Sequence, residues 1–104
     1  MKENLCELRK SPIAGDGIFS LCPIVKGTVL FETHVKDAPD WNSSWINLTP
    51  NCLYNHSKDE ANCVSQTNGK WKVLIAVRDI QDGEELLVDY TKDPDLEQPQ
   101  EDWI

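Results

Sequence analysis

The chain has 104 residues, a length that suits one domain of ordinary size. Its 18 acidic and 10 basic side chains give a formal net charge of −8, a field that repels phosphate backbones and favours cationic partners. No stretch approaches the roughly 20 apolar residues of a membrane span, so neither nucleic acid nor a bilayer is expected as a partner.

In chain order, the opening MKENLCELRK is too charged for a secretory leader, which points to an intracellular location. Within it LCEL starts a strand that SPIAGDG breaks, because Pro12, Gly15 and Gly17 punctuate regular structure. IFSL is a short second strand, PIVKG a turn, and the β-branched TVLFETHV a longer strand. A polar loop with two tryptophans follows, KDAPDWNSSWINLTPN. ANCVSQ and KWKVLIAVRDI then flank TNG, where Asn68-Gly69 signals a hairpin because both residues tolerate positive φ. QDGE is another turn and ELLVDY the last strand, before the acidic tail TKDPDLEQPQEDWI. No long 3.6-residue stripe and no internal repeat interrupts the period of two. The expectation is a mostly β fold over residues 1–104, with a core over about 5–91 and a tail over 92–104.

Cys6, Cys22, Cys52 and Cys63 form no C-x-x-C pair and have no His at a zinc spacing, so reduced thiols and no metal are expected. The sequons at Asn42, Asn47 and Asn55 carry no information in a chain without an export signal.

Three motifs remain, and their order matters more than any one of them. KSPIAGDGIFS places Gly15 and Gly17 around Asp16 just before a strand. YNHS, Tyr54 to Ser57, sets an amide beside an imidazole. AVRDIQDGEELLVDY runs through a glycine turn to an Asp-Tyr end at Tyr90. Together, from Lys10 to Tyr90, they resemble the SET-domain family of protein lysine methyltransferases, most specifically in NHS and RDIQDGEELLVDY.

That resemblance implies a SET-like β-clip and an S-adenosyl-L-methionine site, with no metal. It assigns Gly15, Asp16 and Gly17 to the methionine end of the cofactor, where glycine lets the backbone approach a ligand. Asn55 and His56, with neighbouring Tyr54, take the adenosyl portion, since amides and backbone groups can read the donors and acceptors of a base. Tyr90 is the implied catalytic residue beside the transferring methyl, and Trp103, the last aromatic, the candidate to close over the cofactor. The substrate is then a lysine-containing, basic protein or peptide. A lysine amine has a pKa near 10.4, so it must be bound and deprotonated before it can attack. The stretch between Glu32 and Asn55 is short for the family and holds no second tyrosine ahead of Tyr54. Trp41, Trp45 and Val88 are therefore the candidates for the lysine channel, and a second copy of the chain could complete the groove as a homodimer.

The plainer readings concern the same residues. His56 could be a structural histidine, Asp89 a solvent-facing or hydrogen-bonding group, and Trp71 a packing residue in register with Val73 and Ile75. The alternative function is a catalytically inactive β-clip module that binds without turnover.

Overall fold

The computed structural model describes residues 5–36 and 45–92. Eight strands and one 3₁₀ turn account for their regular structure: β1 (Cys6–Lys10), β2 (Asp16–Ser20), β3 (Val29–Val35), β4 (Ile46–Asn47), β5 (Asn55–His56), β6 (Cys63–Asn68), β7 (Trp71–Ala76), β8 (Leu87–Val88) and the turn Tyr90–Lys92. β1 and β2 make a two-stranded antiparallel sheet; the others form a six-stranded sheet in the order β4-β3-β7-β6-β8-β5. The fold is mostly β, as the short apolar runs and frequent turns imply.

The longest ladders lie where the sequence pattern is clearest. β3 and β6 both pair antiparallel with β7, and the β6–β7 hairpin closes through Gly69 at φ 62°. Asn68 is still in the ladder, opposite Trp71, so Gly69-Lys70 is the two-residue loop and the turn sits one residue later than Asn68-Gly69 suggests. Glycine at the first central position supplies the positive φ that keeps the strands' twist.

Alternation along β7 chooses a face that the tryptophan obscures. Lys72, Leu74 and Ala76 are buried, whereas Trp71 is 38% exposed and Val73 and Ile75 lie between. The reading of Trp71 as a packing residue is corrected accordingly. Lys72 tolerates burial because its stem is apolar and its ammonium reaches the Thr67 hydroxyl at 2.9 Å and the Trp45 ring at 4.6 Å.

The core joins both sheets through Ile18, Leu30, Leu74, Ile80, Leu86 and Val88, with Tyr90 packed at its margin. Each such aliphatic side chain contributes about 1.5–3 kcal/mol by leaving water. The small sheet docks by backbone bonds from β2 to the segment that leads into β8: Ser20 N–H to Glu84 C=O at 2.9 Å and Leu86 N–H to Ile18 C=O at 2.8 Å. β8 itself is held between β5 and β6 and runs parallel to both. Three distant parts of the chain therefore meet at residues 85–90.

Candidate functional site

Asn62 welds the crossing. It is 1% exposed, and its side-chain amide donates to the Glu85 carbonyl at 2.8 Å and accepts from Leu87 N–H at 2.9 Å. Its backbone N–H donates to the Leu87 carbonyl at 3.0 Å, and its carbonyl accepts from Val77 N–H at 2.9 Å. A buried amide with every arm bonded stabilises one arrangement and penalises the rest.

From that crossing β5 delivers His56 to Tyr90. His56 Nδ1 accepts the Tyr90 backbone N–H at 3.0 Å, and the two rings lie 5.0 Å apart. Because Nδ1 accepts, the neutral ring carries its hydrogen on Nε2. Nε2 is buried without a partner, a costly state for a polar atom unless something else bonds it. At the other end of Tyr90, its hydroxyl donates to the Tyr54 carbonyl at 2.5 Å while the rings meet edge to face at 5.8 Å. The hydrogen is thereby turned into the protein, and the phenol offers lone pairs to any other neighbour.

Asp89, just before Tyr90, is 7% exposed and caps the 3₁₀ turn. Its carboxylate accepts from the Thr91 hydroxyl at 2.6 Å and from the Thr91 N–H at 3.0 Å. The Thr91 hydroxyl is the main cause that holds the carboxyl below its ordinary pKa, against an opposing push from burial. Asp89 is thus the hydrogen-bonding group its sequence context suggests.

On the far side of β5, Asn55 braces the glycine turn. Its Nδ2 lies 3.2 Å from both the Ala14 and Asp16 carbonyls and 2.7 Å from Glu85 Oε2. Ser11 donates to the same carboxylate, 2.9 Å from each oxygen. Glu85 reaches this position across Gly17, where an added Cβ would fall on Glu85 Oε2 and 3.0 Å from Asn55 Nδ2. Gly17 therefore makes room for its own chain. Gly15 differs: it has φ 42°, and nothing lies within 4 Å of an added Cβ.

The structure thus gathers Tyr54, Asn55, His56 and Tyr90 about β5 and ties Gly15, Asp16 and Gly17 to them through Asn55. Val88 is 2% exposed within the core cluster. Trp45, next to the edge strand β4, has Lys36 and Lys72 over its ring at 4.7 and 4.6 Å. Trp41 and Trp103 lie outside the described residues. Ser11 and Glu85 are members that the sequence does not announce. An open cleft of about 820 Å³, lined by Phe19, Asp59, Asn62, Arg78 and Glu85 among others, shares Glu85 with this site but includes none of Gly15, Asn55, His56 or Tyr90.

The four cysteines are unpaired. Burial pushes the Cys63 thiol up to about 12 and that of Cys6 to about 11, which makes both unreactive packing groups. Among the described residues no three His, Cys, Asp or Glu side chains cluster as metal ligands, and no helix is long and apolar enough to cross a membrane.

Comparison with known proteins supplies the family. A Plasmodium falciparum protein provisionally assigned as a histone methyltransferase superposes with a TM-score of 0.71 at 22% identity, over 85% of this chain and 94% of that one. The methyltransferase domain of human PR domain-containing protein 2 gives 0.65 at 19% identity, over 82% and 76%. A chain of the apo ctPRC2 assembly, which carries Ezh2, gives 0.65 at 20% identity, over 82% of this chain and 15% of that one. At these identities the likeness is one of fold. No curated protein sequence matches significantly. The SET domain profile matches residues 33–91, more than half of the chain, and takes in both YNHS and GEELLVDY. The chain belongs to the SET-domain family.

Proposed function

We propose that this domain transfers a methyl group from S-adenosyl-L-methionine to the side-chain amine of a lysine in a basic protein. The observation that carries the reading is the fixation of Tyr90 at both ends by one short strand and its flank, with the hydroxyl on the Tyr54 carbonyl and the backbone N–H on His56 Nδ1. A side chain held this firmly is suited to alignment, which is what a methyl transfer in line demands.

Two features fit the methyl donor. The Gly15 backbone is open on the face a Cβ would fill, so a ligand can lie directly against it. The Nε2 of His56 is a buried polar atom that lacks a partner among the described residues. Gly15, Asp16, Asn55 and His56 are then the residues that hold the cofactor. When bound, S-adenosyl-L-methionine supplies an electrophilic methyl on a sulfonium.

The protein's own part is positioning and electrostatics. A transfer that passes positive charge to the lysine nitrogen would be favoured by oxygen dipoles held around the reacting methyl, without a strong base inside the transition state. The phenolic oxygen of Tyr90 is such a dipole, because its hydrogen is committed to Tyr54. An apolar margin around Tyr90 also favours the neutral amine by desolvation. The net charge of −8 attracts a lysine-bearing, basic substrate. Incubation with methyl-labelled S-adenosyl-L-methionine and basic proteins tests the reading. Label on lysine that Tyr90→Phe abolishes supports it, whereas cofactor binding with no transfer to any protein points to a β-clip binding module.

A further inference from the structure

β1 has an open edge. Its ladder with β2 is continued at its two ends by Leu21 N–H to the Leu5 carbonyl at 2.7 Å and by Ser11 N–H to the Gly15 carbonyl at 2.8 Å. In antiparallel pairing such bonds recur at alternate residues, so Leu5, Glu7, Arg9 and Ser11 turn their backbone groups toward β2. Cys6, Leu8 and Lys10 turn theirs the other way. Among the described residues β2 is the only strand paired with β1, and no bond reaches those outward groups.

Such an edge templates pairing with another chain unless its side chains prevent it. Here they select the chain. Glu7 and Arg9 share one face of β1, ion-paired and each 44% exposed, with Arg9 5.6 Å from the centre of the Phe19 ring. The other face carries buried Cys6, Leu8 at 39% exposed, and Lys10, whose side chain is 93% exposed. A two-fold axis through Leu8 sets an antiparallel copy so that Leu8 meets Leu8, Glu7 meets Arg9 and Cys6 meets Lys10. The outward residues then exchange both backbone bonds with their opposites, and Glu7 and Arg9 form the closer, non-bonded pairs. Because the rotation reverses acid and base, each charge on that face lies between opposite charges. Centring on Cys6 would set Glu7 against Leu5, and centring on Lys10 would set Arg9 against Ser11.

We propose that β1 is the contact of a two-fold dimer, in which a second copy of this chain adds its own β1 antiparallel about Leu8. The two small sheets then join as one, in the order β2-β1-β1-β2. The occupant is a second copy because the edge is complementary to itself, in charge and in backbone register, as a two-fold contact requires. The exposed Leu8 is covered by its own counterpart. None of Tyr54, Asn55, His56 and Tyr90 takes part, so the dimer stands apart from the methyl-donor reading. A contact of five residues a side is smaller than a standard interface, which makes the dimer a weak one, with a Kd on the order of 10–100 µM.

The test is sedimentation equilibrium of the full chain from about 1 µM to about 1 mM, in roughly 0.15 M salt to screen the net charge of −8 on each copy. Wild type should pass from monomer to dimer across that range. Glu7→Arg and Arg9→Glu each set like charges opposite one another, so each variant alone should dimerise at least about tenfold more weakly. An equimolar mixture of the two should recover association at the wild-type strength, because every Arg then faces a Glu. Leu8→Pro removes an outward N–H that β2 does not use, so it should abolish the dimer and leave a folded monomer. Wild type that stays monomeric throughout overturns the proposal. A dimer that the charge variants do not weaken, or that their mixture does not restore, also overturns it, since its contact then lies elsewhere. Should Leu8→Pro fail to fold, the charge variants and their mixture decide alone.

Discussion

The Tyr90 hydroxyl donates to the backbone carbonyl of Tyr54 at 2.5 Å, across 36 positions of sequence. The bond brings the last residue of GEELLVDY to the first of YNHS, and it sets which side of the phenol is proton and which is lone pair. Tyr90→Phe separates the two consequences. Stability should fall by about 1–3 kcal/mol, because the Tyr54 carbonyl loses its donor. On the proposed function, methyl transfer should fall by roughly 10²–10³ with cofactor affinity little changed, because the proposal sets the lost oxygen against the transition state alone. Urea unfolding and single-turnover assays read the two effects. A variant that loses stability yet transfers methyl at the wild-type rate would show a structural tyrosine.

The two glycines of the G-x-G turn should respond differently to alanine. Gly15→Ala meets open space but must hold φ near 42°, so a cost of about 1 kcal/mol in stability is expected, with the Glu85 network intact. Gly17→Ala places a methyl on the Glu85 carboxylate and 3.0 Å from Asn55 Nδ2. The carboxylate must move and release Asn55, so Gly17→Ala should weaken binding of the proposed cofactor even where the domain stays folded. Crystal structures of the two variants would show Glu85 displaced only in the second.

How much of this was legible depends on how local each feature is. Gly69 marks its hairpin within one residue because turn chemistry is carried by two neighbouring positions. The buried face of β7 was not legible: apolar Trp71, Val73 and Ile75 outweigh Lys72 by hydrophobicity, yet Lys72 is inside because Thr67 and Trp45 receive its ammonium. β5 and β8 are two residues each, too short for any periodicity, and exist only through tertiary pairing, β5 with β8 and β8 with β5 and β6. YNHS and GEELLVDY were readable as motifs. The contact of Ser11 with Glu85 joins positions 74 apart and leaves no trace beyond the paired acids Glu84-Glu85 at the entry to an apolar strand.

Asp89 should give the domain an acid-sensitive increment of stability. Its folded pKa is lowered, chiefly by the Thr91 hydroxyl, so the native state binds fewer protons than the unfolded chain. The increment is complete above the unfolded value near 3.9 and is lost as pH falls through the lower folded value. Asp89→Asn cannot ionise. The stability gap between wild type and this variant should therefore be widest near neutral pH and shrink below about pH 4. A gap independent of pH would mean that the carboxylate charge contributes nothing.

Asn62→Ala should be among the most damaging single changes in the chain. It strands the buried Leu87 N–H and Glu85 carbonyl, each worth about 1–3 kcal/mol when left unpaired, and opens a small void. A loss of at least about 3 kcal/mol is expected from chemical denaturation. Asn62→Asp should be no better, because it still accepts from Leu87 but buries a charge and sets a carboxylate oxygen against the Glu85 carbonyl. A loss below about 1 kcal/mol would mean that β8 is held by its backbone ladder alone.

Trp45 offers the clearest choice between a channel residue and a structural one. Its ring receives two ammonium groups, Lys36 at 4.7 Å and Lys72 at 4.6 Å, beside the outermost strand β4. Lys72 is almost fully buried, so this cation–π contact is the more desolvated and is worth up to about 2 kcal/mol; that of Lys36 is nearer 0.5–1. Trp45→Leu keeps an apolar group but removes the quadrupole that faces both charges. Stability should fall by roughly 1–3 kcal/mol, while KM for a lysine peptide and the rate of transfer stay at wild-type values at a temperature where the variant is folded. If Trp45 instead lined the lysine channel, the substitution would raise KM or slow transfer at that temperature. Pairing it with Lys72→Met decides the matter: two losses of stability that fail to add would show that ring and ammonium act on each other.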